Sequence, residues 1–308
     1  MSSPAVPLRR SAPAAALALL RPKQWTKNGL LFAALIFSSH YDVEAAARAV
    51  VAFVAFCLLS STGYVYNDLG DVESDRKHPK KRTRPIASGE VSVPTAWAIM
   101  GGAFFGAVGL SIGVGWGLAW PMNVAFLAVA LAYFATTLSY SYYFKNHVIL
   151  DVMVLAACYI WRAVAGAVAI AVTISPWLLL CTAFGALFLG FNKRRGEILL
   201  LEGSTSGTRK SLAHYSPAML SEFQAITTSG TIISYALYTV LGSPTPWLLL
   251  TLPHVLYGVF RYIYLMDQKG EGSAPDETFL RDRPIFMTVF LYLVTAVAVL
   301  LLAPLRQA

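Results

Sequence analysis

Charge is scarce in this chain. Only 13% of its 308 residues are Asp, Glu, Lys or Arg, against 56% hydrophobic, whereas soluble domains carry about 25% charged residues. That deficit excludes a water-covered globule of this length. The apolar residues also fall in blocks near the roughly 20 residues that a helix needs to cross a bilayer. The period-2 alternation of a membrane β-barrel is missing, so helices are the spanning element. Cysteine is equally scarce. Cys57, Cys158 and Cys181 lie inside apolar blocks without metal-ligand spacing, which predicts packing roles, no disulfide and no zinc. No linker, repeat or low-complexity tract marks a second domain.

What is present is an all-α, polytopic pattern. Nine spans are predicted near residues 24–40, 45–66, 94–115, 121–141, 148–171, 176–193, 217–240, 246–266 and 285–304. Pro94, Pro121, Pro176, Pro217, Pro246 and Pro284 stand at or near helix starts, where a missing N–H is harmless. Residues 1–20 include Arg9, Arg10 and a short AAALALL run that mimics a signal peptide. The polar RPKQWTKN stretch follows at once, so a flexible tail is expected over 1–20 and a single transmembrane catalytic domain over 21–308.

The net charge of +8 is distributed by side rather than by patch. Three connections, GWGLAWP, AVTISP and LGSPTP, carry no Lys or Arg. The N-terminal segment and the connections on the other side hold most of the 24 Lys and Arg residues; Arg48, Arg162 and Arg306 are exceptions. The positive-inside rule makes the basic side cytoplasmic, with the N-terminus inside and the C-terminus outside a cell (inner) membrane. The bases are thus explained by topology, and no nucleic-acid partner is implied. Topology asks nothing of acids, yet acids cluster among these bases.

The densest cluster closes span two, in YVYNDLGDVESDRKHPKKRTRPIASGE. Asn67, Asp68, Asp71 and Asp75 share one face if the helix continues. Carboxylates so placed repel one another, and a divalent cation removes the repulsion. Hard oxygen ligands suit Mg²⁺ shared with substrate phosphate. The competing reading is a solvated helix end balanced by the bases behind it. Those bases include Arg82 and Arg84, ahead of the turn residues Pro85 and Gly89. Metal-binding acids followed by cations suit a diphosphate. Orientation and anionic-lipid contact explain any single lysine equally well.

The pattern N-D-x-x-D-x-x-x-D followed by R-P-I-A-S-G resembles the hallmark of the UbiA-type membrane prenyltransferase superfamily, and RPKQWTKN also fits it. The resemblance implies a nine-helix barrel whose active site lies under a cytoplasmic cap and opens sideways to lipid. It implies Mg²⁺ held by Asp68, Asp71, Asp75 and Asn67, with the three aspartates serving catalysis, and it adds Lys27 to the substrate contacts.

Typical members carry a second aspartate-rich motif after span six. Here that segment reads FNKRRGEILLLEGSTSGTRK, with Glu197 and Glu202 but no aspartate. In this respect, and in YSYYFKNHVILDV and FLRDRP, the chain resembles the decaprenyl-phosphate phosphoribosyltransferase branch. That branch implies phosphoribosyl diphosphate as donor and a polyprenyl phosphate lipid as acceptor, met in the bilayer. Lys145, Lys193 and Arg194 are then expected at phosphate, beside Arg82 and Arg84. Arg162, deep in span five on the face of Asp151, is a substrate-contact candidate by default; a structural pair with an acid on another span is the alternative. The runner-up activity is transfer of a prenyl diphosphate to an aromatic acceptor.

Overall fold

Inside hydrocarbon a backbone finds no water, so its N–H and C=O groups must bond within the segment, and each apolar block winds into helix. The computed structural model describes residues 10–38, 42–78, 81–201, 210–269, 278 and 281–303. Its elements are α1 (Ala12–Leu20), a tightly wound stretch Pro22–Leu31 leading into α2 (Phe32–Phe37), α3 (Val43–Gly70), α4 (Val72–Lys77), α5 (Val93–Val114), α6 (Met122–Tyr142) and α7 (Leu150–Ala169). Then follow α8 (Pro176–Leu201), α9 (Pro217–Leu237), a turn of tight helix Pro246–Thr251, α10 (Leu252–Lys269) and α11 (Arg283–Leu302). No strand occurs among the described residues.

Seven of the described helical stretches are long and apolar enough to cross a membrane: Val43–Gly70, Val93–Val114, Met122–Tyr142, Leu150–Ala169, Pro176–Leu199, Pro246–Gln268 and Arg283–Leu302. The first and seventh predicted spans are helical but fall outside this set. The first is divided between the Pro22–Leu31 stretch and the six residues of α2. The seventh, α9, is polar on its inner face, where Gln224, Thr227, Thr231 and Ser234 are buried. Its hydroxyls return their protons to the helix's own carbonyls, Thr227 to Phe223 and Thr231 to Thr227, each at 2.7 Å.

Lipid chains are as apolar as leucine, so helices in a bilayer associate through close backbone approach. The cluster joining α3, α5, α6 and α7 is accordingly rich in alanine, including Ala45, Ala49, Ala52, Ala107, Ala130 and Ala165. Gly166 permits a very close approach: a Cβ there would stand 2.1 Å from the carbonyl oxygen of Leu31. Phe105, Trp116, Trp120, Phe286 and Leu301 face outward, as lipid contact requires.

One expectation needs correction, and one condition is not met. Residues 12–20 are helix α1 rather than tail, because the AAALALL run buries Ala15 and Leu19 against Val65, Ile86, Val91 and Ala96. The helix of span two also does not run unbroken through the acids. It ends at Gly70, Asp71 adopts φ −102° and ψ 8°, and α4 resumes at Val72. Glycine ends helices readily, and a bend here separates carboxylates that a straight helix would align. The N-terminal ends of α5, α9 and α11 are capped by Ser92, Ser216 and Asp282.

In a membrane-impermeant thiol-labelling experiment on intact cells, Ala119→Cys, exposed between α5 and α6, reacts at once. Ser88→Cys, exposed on the basic side, reacts only after the cells are opened. The reverse order would invert the charge-derived orientation.

Candidate active site

The acid motif folds into a lattice with arginines. Arg84 donates from Nη1 to Asp68 Oδ1 at 2.9 Å and to Asp75 Oδ2 at 2.7 Å. Arg21, in the left-handed turn after α1 (φ 53°), donates to the same Asp68 Oδ1 at 2.5 Å. Its guanidinium also lies 5.1 Å from the centre of the Tyr64 ring. Asp68 and Asp75 are buried, while Arg21 and Arg84 remain partly open. A cleft of about 280 Å³ opens here, lined by Arg10, Arg21, Asp68, Thr83 and Arg84.

Hard oxygen donors are what Mg²⁺ takes, and this set keeps some in reserve. Oδ1 of Asp75 is buried without a hydrogen-bond partner, with Lys81 Nζ 4.0 Å away. Among the described residues, the Asn67 amide and the Asp71 carboxylate are half-buried and also without side-chain partners. In the present side-chain positions no three acids, histidines or cysteines of the described residues form a metal-holding group; Arg21 and Arg84 bridge Asp68 and Asp75. The donor chemistry fits the ion once these guanidinium contacts are exchanged for it.

A second lattice ties the start of α7 to the end of α8. Asp151 and Arg194 are both fully enclosed, with Arg194 Nε 2.7 Å from Asp151 Oδ2 in an ion pair that lacks hydrogen-bond alignment. Arg194 Nη1 donates to Glu197 Oε2 at 2.6 Å, and Nη2 to the Tyr140 hydroxyl at 3.4 Å. Tyr215 donates its hydroxyl to Asp151 Oδ1 at 2.7 Å and accepts from the Ile149 N–H at 2.7 Å. Burial, and then the bond to Asp151, raise the Tyr215 hydroxyl well above its ordinary pKa. Arg194 was expected at phosphate. It has two carboxylates on it and no exposed surface, so its charge is paired as this medium requires.

Arg162 forms a third, separate network. It is 4% exposed and donates to Asn28 Oδ1 at 2.8 Å, the Cys158 carbonyl at 3.0 Å and the Tyr133 hydroxyl at 2.9 Å. The rings of Tyr133 and Tyr159 lie 4.9 and 5.2 Å from it. These partners are neutral, so the alternative reading, a pair with an acid on another span, is not what holds it. Arg162 instead fastens α7 to α6 and to the Pro22–Leu31 stretch.

The remaining predicted residues are more open. Arg82 is exposed and Lys145 half-buried, and neither has a side-chain partner among the described residues. Lys27 and Lys193 are half-buried with partners. Asp282, in the FLRDRP segment, caps α11 and pairs with Arg261 at 2.9 Å. Sequence reasoning missed Arg21, Ser211 and Tyr215 as contributors. Ser211 and Tyr215 carry no local signal, because each acts through a partner more than 40 positions away; Arg21 heads the RPKQWTKN stretch, but its partner Asp68 is also more than 40 positions away. Asn28 was open to inference, as an amide inside an apolar stretch.

Comparison with known proteins follows this geometry. The model of the family described as "UbiA prenyltransferase family" matches residues 29–290. A Corynebacterium glutamicum protein named decaprenyl-phosphate phosphoribosyltransferase is 37% identical over 279 residues, covering 86% of this chain and 80% of its own. A Mycobacterium tuberculosis protein of the same name is 32% identical over 283 residues, 90% of this chain and 91% of its own. Among solved structures, a UbiA homolog from Archaeoglobus fulgidus bound to GPP and Mg²⁺ superposes with a TM-score of 0.69 at 17% identity, over 94% of this chain and 100% of that one.

Removing Arg194 leaves Asp151 buried and unpaired, which destabilises by about 3–5 kcal/mol. Arg194→Met therefore lowers the thermal midpoint of the detergent-purified protein by several degrees, whereas Asp71→Asn leaves it unchanged. Equal midpoints for the two variants would remove Arg194 from the structural role.

Proposed function

We propose an activity from the premise that this chain belongs to the UbiA prenyltransferase family: transfer of 5-phosphoribose from 5-phosphoribosyl 1-diphosphate to a polyprenyl phosphate, with release of diphosphate. The relatives that carry the phosphoribosyltransferase name cover most of the chain, and the observation that supports this branch lies at the end of α8. The carboxylates there, Asp151 and Glu197, are both taken by Arg194. Among the described residues there, no acid pair is left for a second metal, which a prenyl diphosphate gripped by two metal clusters would need. One acid-rich end and one cation-rich end suit a donor with a diphosphate at one end of a ribose and a 5-phosphate at the other.

In this reading the chain is a single catalytic unit of nine spans, adding the Pro22–Phe37 segment and α9 to the seven apolar helices. Its charged end faces the cytoplasm as a cap. Asp68, Asp71, Asp75 and Asn67 hold Mg²⁺. The ion, when bound, neutralises diphosphate charge and stabilises it as a leaving group. Arg84, which bridges Asp68 and Asp75, gives these carboxylates up to the ion and turns to diphosphate oxygens. Arg82, Lys27, Lys145 and Lys193 meet phosphate oxygens through charge-assisted hydrogen bonds, while Arg162 and Arg194 hold the helices that carry them. An oxygen of the acceptor phosphate forms the new bond to ribose C1 as the C1–O bond to diphosphate breaks. That oxygen is already anionic, so no general base is required, and the protein's part is alignment.

The test supplies purified protein with Mg²⁺, a polyprenyl phosphate and radiolabelled phosphoribosyl diphosphate; label moves into the organic phase. EDTA stops transfer reversibly, and Asp71→Asn lowers it by about a hundredfold or more, as loss of one charge-stabilising group does elsewhere. Label that stays aqueous, with consumption of a prenyl diphosphate and an aromatic acceptor, selects the runner-up activity instead.

A further inference from the structure

The backbone between α6 and α7 carries a conformation that its own residues disfavour. Ile149 has φ 68° and ψ −51°, and Leu150 N–H closes a three-residue turn on the Val148 carbonyl at 2.8 Å. Such γ-turns with positive φ are rare and strained, and a β-branched residue at positive φ is an outlier. The Ile149 side chain is 38% exposed, so core packing does not force the turn. Strain of this kind persists only where the surroundings over-determine it.

Here the surroundings come from another loop. The Tyr215 hydroxyl accepts the Ile149 N–H at 2.7 Å and is itself held by Asp151, which is held by Arg194. Four residues earlier, Ser211 donates to the Lys145 carbonyl at 3.1 Å, sharing its proton with Asp151 Oδ2 at 3.4 Å. The stretch 145–149 is therefore pinned at both ends by the segment leading into α9. At the first of these pins stands Lys145, its side chain half-buried and without a partner among the described residues.

We propose that Tyr215 is a positioning residue: it holds the strained Ile149 turn in place and thereby sets where the Lys145 ammonium meets donor phosphate. The Lys145 half of this statement rests on the phosphoribosyl-transfer reading above. The strut half does not, and the test keeps the two apart.

In hydrogen–deuterium exchange on the full-length protein, Tyr215→Phe raises exchange across residues 144–150 about tenfold, the worth of one hydrogen bond to a charged network. Exchange in α3 and α5 is unaltered. In the transfer assay the same variant raises KM for phosphoribosyl diphosphate by about tenfold, leaves KM for the polyprenyl phosphate unchanged and lowers kcat less than threefold. Adding Ile149→Gly, which adopts positive φ without strain, returns the donor KM to within about threefold of the parent. Unchanged exchange at 144–150 overturns the strut. Loosened exchange with an unchanged donor KM, or equal rises in both KM values, overturns the positioning of Lys145. A parent protein that transfers no phosphoribose overturns the activity, while the exchange result still decides the strut.

Discussion

The ion pair between Asp151 and Arg194 is the contact on which the charged end of this protein depends. Each side chain is fully enclosed, and neither charge is tolerable there without the other, because removal from water costs several kcal/mol per ion. The pair fixes α7 against α8. Its spare hydrogen-bonding capacity then recruits Glu197, Tyr140, Tyr215 and Ser211, which brings the connections after α6 and after α8 into one layer. A guanidinium with five donors in a rigid fork serves as such a hub where a lysine would not.

The acid motif is built on the opposite balance. Asp68 and Asp75 are also buried and also bridged by arginine, but their arginines are partly open. The difference in exposure separates the two lattices by role. A guanidinium with solvent access can exchange its carboxylates for another cation; a sealed one cannot. Asp75 keeps one buried oxygen without a hydrogen bond, and Asp71 sits in the bend between α3 and α4 without a partner among the described residues. Unsatisfied capacity of this kind is expected where a ligand completes the structure.

Between these layers and the far side, the helices are held by close approach rather than by bulk. Alanine seams in α3, α5 and α7, and the contact of Gly166 with the Leu31 backbone, let helices touch where lipid supplies no hydrophobic drive. Arg162 crosses the same region with neutral partners. Tyrosine rings and an amide stand in for an anion, sharing the charge through cation–π contact and hydrogen bonds.

Sequence alone determined the class of this protein. Apolar block length dictates helices in lipid, and the spacing of Asn67, Asp68, Asp71 and Asp75 marks the acid-rich end, because these depend on local composition. It also located helix starts from proline. It misjudged α1, since whether nine apolar residues form a tail or a helix depends on a groove made by α3, the Ile86–Val91 turn and α5. It could not tell Arg84, shared between two acids at a cleft, from Arg194, sealed between two acids in the wall. Both look alike as arginines among charges, and only the packing of distant segments decides how much water reaches each one. Tyr215 was invisible for the same reason: its meaning lies in Ile149 and Asp151, more than 60 positions away, and contact across such separations is fixed only when the helices pack.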